Sequence, residues 1–79
     1  MSNWNTANNT LSKRFSFKNF KEALDFVNKV GVLAENMQHH PDISLHDYKY
    51  VTISSTTHDA GGITDKDKQL TEMIDRLLT

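Results

Sequence analysis

Apolar residues change their spacing early in the chain. Trp4, Leu11, Phe15 and Phe17 lie around the turn-forming pair Asn8-Asn9, a pattern of two short strands joined by a hairpin, with Phe15 and Phe17 on one face. From about Lys18 the period becomes three and four: Phe20, Ala23, Leu24, Val27, Val30, Leu33, Ala34 and Met37 draw one apolar stripe, which predicts a helix of about five turns. Gly31 costs that helix roughly 1 kcal/mol relative to alanine and is read as marking a close contact. Pro41 cannot continue a helix and pushes its predecessor toward an extended conformation, so the helix is expected to stop near His39 or His40.

Alternation returns after the proline. Ile43 and Leu45, then Val51 and Ile53, alternate with polar neighbours, which predicts two antiparallel strands with a tight connection near Asp47 to Lys49. Gly61-Gly62 breaks the chain. Thr64-Asp65-Lys66-Asp67 then has the form of a helix start, with Thr64 as cap and Asp67 at its third position, and Leu70, Met73, Ile74, Leu77 and Leu78 supply an apolar face. The order strand, strand, helix, strand, strand, helix predicts an α+β fold: a four-stranded antiparallel sheet covered on one face by two helices.

Length bounds this picture. Seventy-nine residues make one small domain, and such a chain buries only about 60% of the surface its unfolded form exposes. With no cysteine, neither disulfides nor thiolate metal sites can supplement the core, so association with other copies is expected. A formal net charge of −1 offers no electrostatic footprint for direct nucleic-acid binding. No apolar run approaches a membrane span, and the polar start lacks the basic and apolar regions of a signal peptide, so a cytoplasmic protein is expected.

Four histidines in so short a chain are the candidate chemistry. His39 and His40 sit at the expected helix end, where the carbonyl-rich C-terminus favours a cation, which suits general acids working near neutral pH. Glu35 lies one turn before His39, where a carboxylate would stabilise an imidazolium. His58 closes the fourth strand beside the double glycine, in a segment of the kind that carries sites. A pocket walled by Glu35, His39, His40, His58 and Asp67 is compatible with this order. Each residue also has a plainer explanation: a histidine pair before proline as a wet helix stop, His58 as a polar strand end, Glu35 as a solvated helix residue, and Asp67 as a capping residue and nothing more. His46 is assigned to the outer face with no role. A metal site is the sharpest rival, because Glu35 and His39 have the i, i+4 spacing that can bring two ligands to one ion, with His58 as a third. Against it, adjacent helical residues point about 100° apart, which keeps His39 and His40 from sharing an ion.

The string Glu35-x3-His39-His40-Pro41-Asp42, then Tyr48, then Thr57-His58-Asp59-Ala60-Gly61-Gly62-Ile63-Thr64, then Asp67, resembles the signature of the pterin-4a-carbinolamine dehydratases. Outside it, Phe15-x-Phe17-x2-Phe20-x2-Ala23-x2-Phe26, with Val27, Val30 and Ala34-Glu35, is similar to that family's strand-to-helix segment. Trp4 is similar to the tryptophan before it, so the resemblance runs from Trp4 to Leu78. It implies a dehydratase that removes water from a 4a-hydroxytetrahydropterin to give a quinonoid dihydropterin, with no metal and no organic cofactor. By the same resemblance His39, His40 and His58 are the catalytic residues, His39 and His58 as the proton-transfer pair and His40 as an orienting residue. Glu35 and Asp67 would orient or charge-tune them, and Pro41 would fix the helix end. A homodimer or homotetramer is implied, as is the alternative of a protein-binding module, since some members assist a transcription factor's dimerisation and others act as assembly factors. Longer members carry a helix before the tryptophan, so a single domain over residues 1–79 without that helix is expected.

Overall fold

The hairpins turn on pairs of residues with positive φ. In the computed structural model, which describes residues 3–79, β1 (Asn5–Ala7) pairs antiparallel with β2 (Thr10–Ser16) through Asn8 and Asn9, at φ of 53° and 58°. Two successive left-handed residues match the twist of flanking strands, and asparagine tolerates them well. The second hairpin joins β3 (Asp42–His46) to β4 (Tyr50–Ser55) through Asp47 and Tyr48, also both at positive φ. The sheet order is β1-β2-β4-β3, antiparallel at every step.

Helix α1 (Phe20–Met37) starts at Asn19, whose side chain accepts from the Glu22 N–H, and α2 (Asp65–Arg76) starts at Thr64 with a full capping box to Asp67. Both helices lie on one face of the sheet. Ala23, Phe26 and Val30 of α1 and Leu70 and Ile74 of α2 form one buried cluster with Phe15, Val51 and Ile53. Phe26 stacks near both Phe15 and Phe17, at ring separations of 4.8 and 4.9 Å. Trp4 joins the first strand to the last helix by donating to Asp75 at 3.0 Å and meeting Phe15 edge-on. Among the described residues no helix is long and apolar enough to cross a membrane.

The fold class and element order are those expected from the sequence, and three details differ. The buried line of α1 is Ala23, Phe26, Val30 and Ala34; Phe20, at 51% exposure, and Leu24 lie outside it, and Met73 of α2 and Leu78 beyond its end are likewise exposed. A helix resting on a sheet covers only a limited arc of its surface, and the expected stripe is wider than that arc. Gly31 marks no close contact, since a Cβ there meets nothing within 4 Å.

The third difference is the end of α1. Gln38 adopts the left-handed conformation at φ 52°, its N–H donating to the Glu35 carbonyl while the His39 N–H donates to the Ala34 carbonyl. This is a Schellman closure, which satisfies the last carbonyls and turns the chain out of the helix. Gln38 reinforces it by donating from its side chain to the Glu35 carbonyl at 2.7 Å. The helix is therefore ended by Gln38, and Pro41 instead stands directly before β3.

Candidate active site

The end of α1, the end of β4 and the start of α2 meet at Asp67. Its side chain is fully buried, in step with Leu70 and Ile74 on the inward stripe of α2. A carboxylate buried this way requires donors, and four groups supply them. His39 Nε2 is 2.7 Å from Oδ1, and the Ser55 hydroxyl donates to the same oxygen at 2.6 Å. The Thr57 hydroxyl donates to Oδ2 at 2.7 Å and the Thr64 backbone N–H at 2.9 Å. Burial by itself raises a carboxyl pKa, but the bonds from His39, Ser55, Thr64 and Thr57 together outweigh it and hold Asp67 well below the usual carboxylate range. Asp67 is thus ionised near neutral pH and can only accept.

That assignment fixes the role of His39. The nitrogen facing Asp67 must carry hydrogen, so a neutral His39 ring is protonated on Nε2 and keeps its lone pair on Nδ1. The His39 side chain is 11% exposed. Glu35 does not pair with His39, as the expected helical register implied, but with the neighbouring His40 through Nε2 and Oε2. The left-handed step at Gln38 takes both histidines out of the helix and rotates them off its i, i+4 register. This His40–Glu35 pair is exposed, at 58% and 70%. Glu35 and His39, the two residues that the metal alternative brings to one ion, thus have different partners.

His58 does not close a strand; it opens a single 3₁₀ turn, His58–Ala60, ended by Gly61 at φ 73°. The turn is anchored at Thr57, whose backbone exchanges two hydrogen bonds with Gly62, at 3.0 and 3.2 Å. His58 is exposed and makes no side-chain hydrogen bond or ion pair among the described residues. It follows directly on Thr57, which bonds the carboxylate that His39 also bonds, so the two histidines belong to one end of the fold. His46 lies apart, toward the turn of the β3–β4 hairpin, bonded to Thr52 and Asp47.

Two contributors escaped the sequence reading. Ser55 and Thr57 continue the Val51, Ile53 parity, which places them on the inward side of β4 and its extension. A polar residue at an inward position requires a buried partner, and that parity was the available signal. Asp67 likewise does more than cap. A cleft of about 890 Å³ lies on the other side of α2, between Trp4, Leu11 and the Lys68 to Asp75 face, and none of the expected site residues lines it.

The fold and this geometry define an α+β domain with an imidazole held by a buried carboxylate where a helix end, a strand end and a helix start converge. Residues 1–77 match the family described as Pterin 4 alpha carbinolamine dehydratase, and the chain belongs to that family. A relative from Sulfurisphaera tokodaii is 49% identical over 79 residues, all of this chain and 84% of the relative. One from Picosynechococcus is 51% identical over 74 residues, 94% of this chain and 79% of the relative. Both carry the name "Putative pterin-4-alpha-carbinolamine dehydratase". The crystal structure of a transcriptional coactivator/pterin dehydratase from Brucella melitensis superposes with a TM-score of 0.86 at 25% identity, covering 92% of this chain and 79% of that one. A pterin dehydratase-like RuBisCO assembly factor of the alpha-carboxysome shares the fold, with a TM-score of 0.75 at 21% identity over 94% of this chain and 84% of that one.

Proposed function

We propose that this protein dehydrates a 4a-hydroxytetrahydropterin by general acid–base catalysis, with His39 and His58 as the proton-transfer pair. The observation that supports this most is the His39–Asp67 contact at 2.7 Å to a fully buried carboxylate, which orients a histidine at a family motif position. In the reaction a proton is delivered to the C4a hydroxyl, which leaves as water. The N5 electron pair forms the C4a=N5 bond, and the N5 proton passes to a base. One acid and one base on different sides of the substrate suffice, and imidazoles can serve as either near neutral pH. His40, exposed and paired with Glu35, is assigned to holding and orienting the pterin. The test is stimulation of dehydration of chemically generated 4a-hydroxytetrahydropterin above its spontaneous rate. Activity should survive exhaustive chelation; activity that falls and returns with stoichiometric zinc or iron would sink the metal-free mechanism.

A second reading, as a protein-binding module, draws on the exposed apolar side chains of α1, among them Phe20 and Val32 at 51% and 61% exposure. These side chains, with β1 and β3 as sheet edges, support self-association of so small a core. Light scattering at micromolar concentration is expected to give a dimer or tetramer. A stable monomer would remove self-association and leave the exposed apolar side chains to a different partner.

A further inference from the structure

The donors around Asp67 differ in one respect that matters for His39. Three of them can change direction: the His39 ring can exchange its tautomer, and the Ser55 and Thr57 hydroxyls can rotate. The Thr64 backbone N–H, 2.9 Å from Oδ2 and the reciprocal half of the α2 capping box, cannot. The hydroxyls are also committed. Thr57 donates to Oδ2 while its oxygen lies 2.8 Å from Thr64 Oγ1; the Thr64 hydroxyl has Thr57 and, at 3.5 Å, Oδ2 itself as acceptors, and its own oxygen accepts from the Lys66 N–H at 3.3 Å. Ser55, fully buried, has Oδ1 as its partner. On the far side of the imidazole, Nδ1 makes no hydrogen bond among the described residues. No buried side-chain nitrogen or oxygen there lacks a partner, so Nδ1 reaches solvent.

We propose that Ser55 and Thr57 are positioning residues for His39: with the Thr64 N–H they fix the orientation of the Asp67 carboxylate, which holds the ring as its Nε2–H tautomer and makes Nδ1 the nitrogen that exchanges protons with substrate. This rests on the assignment of His39 to proton transfer. Asp67, with donors on both oxygens, acts only as an acceptor and does not take the proton on. The reacting proton enters and leaves through Nδ1.

Asp67→Asn tests the proposal because an amide has one accepting end and one donating end. Its oxygen must face the Thr64 N–H, which cannot turn, so its NH₂ faces His39 and forces the ring proton onto Nδ1, with Ser55 rotating to accept. Nitrogen NMR of labelled protein, on the alkaline side where an imidazole is neutral, reads the tautomer directly, with the His39 signals identified by their absence from His39→Ala. The parent is expected to carry the proton on Nε2 and Asp67→Asn on Nδ1, with kcat lowered about 10³-fold and KM within about threefold of the parent. A parent ring protonated on Nδ1, or an Asp67→Asn ring that stays protonated on Nε2, overturns the proposal. Ser55→Ala is the milder arm and serves if the amide variant fails to fold. It should keep the parent tautomer and lose about tenfold in kcat per folded molecule, since a bond to a charged group is removed. An unchanged kcat would make Ser55 merely structural and overturn its role. A parent with the expected spectrum but no dehydratase activity removes the pterin reading and leaves the tautomer control standing.

Discussion

Replacing His39 or His58 by alanine is expected to lower kcat by about 10² to 10⁴ while the fold persists, because each removes a proton-transfer group that acts in the transition state. The fold should survive for different reasons at the two positions. His58 is exposed in a 3₁₀ turn whose closure depends on backbone bonds of Thr57, Ala60 and Gly61. At His39 the loss still leaves Asp67 the Ser55 and Thr57 hydroxyls and the Thr64 N–H as donors. His40→Ala should act mainly on KM, because an exposed pair with Glu35 suits a residue that holds substrate rather than one that moves its proton. His46→Ala is the control: its ring bonds Thr52 and Asp47 toward the turn of the β3–β4 hairpin, and neither parameter should change appreciably. Steady-state rates must be corrected for spontaneous dehydration, and thermal melts must show each variant folded. Near-parent kcat in both His39→Ala and His58→Ala would refute the assignment whatever the family.

Much of the fold was legible because local chemistry and tertiary packing agree. The Asn8-Asn9 turn, the Thr64 to Asp67 capping box and the two alternating strands are each specified by residues a few positions apart, and the structure realises all of them. The site was legible as a set of positions but not as a set of partners. Glu35 was matched to His39 by helical spacing, and that match failed at Gln38, a residue type without the glycine or asparagine signature of a left-handed helix end. Capping explains Asp67 locally, and its place beside the histidines came from the element order and the family resemblance; nothing local indicated that the same carboxylate bonds a residue 28 positions away. Two non-local clues existed: Asp67 falls in step with the buried Leu70 and Ile74, and Ser55 falls in step with the buried Val51 and Ile53. Polar residues in apolar register point to a buried network, but only the assembled fold pairs them.

That network should also make Asp67 a large contributor to stability. Asp67→Ala leaves the Ser55 hydroxyl, the Thr57 hydroxyl, the His39 Nε2 position and the Thr64 N–H without their acceptor. Thr57 can turn toward Thr64 Oγ1 at 2.8 Å, and His39 can reach solvent, whereas the Thr64 N–H and the fully buried Ser55 have no such recourse. One orphaned buried donor costs about 1–3 kcal/mol, and losing a cap about 1 kcal/mol. With Ser55 as the orphaned donor and the Thr64 N–H as the lost cap, a total of roughly 2–4 kcal/mol follows, which for a domain of this length lowers Tm by about 8 °C or more. The effect should depend on pH in a definite direction. Because the folded-state pKa of Asp67 is depressed, its contribution is complete above the unfolded carboxyl value near 4 and is lost as pH falls from there toward the folded value. Melts of parent and Asp67→Ala at one protein concentration should therefore be far apart at neutral pH and converge below about pH 4. A gap that stays constant down the acid range would mean that Asp67 stabilises the fold by shape and not by charge.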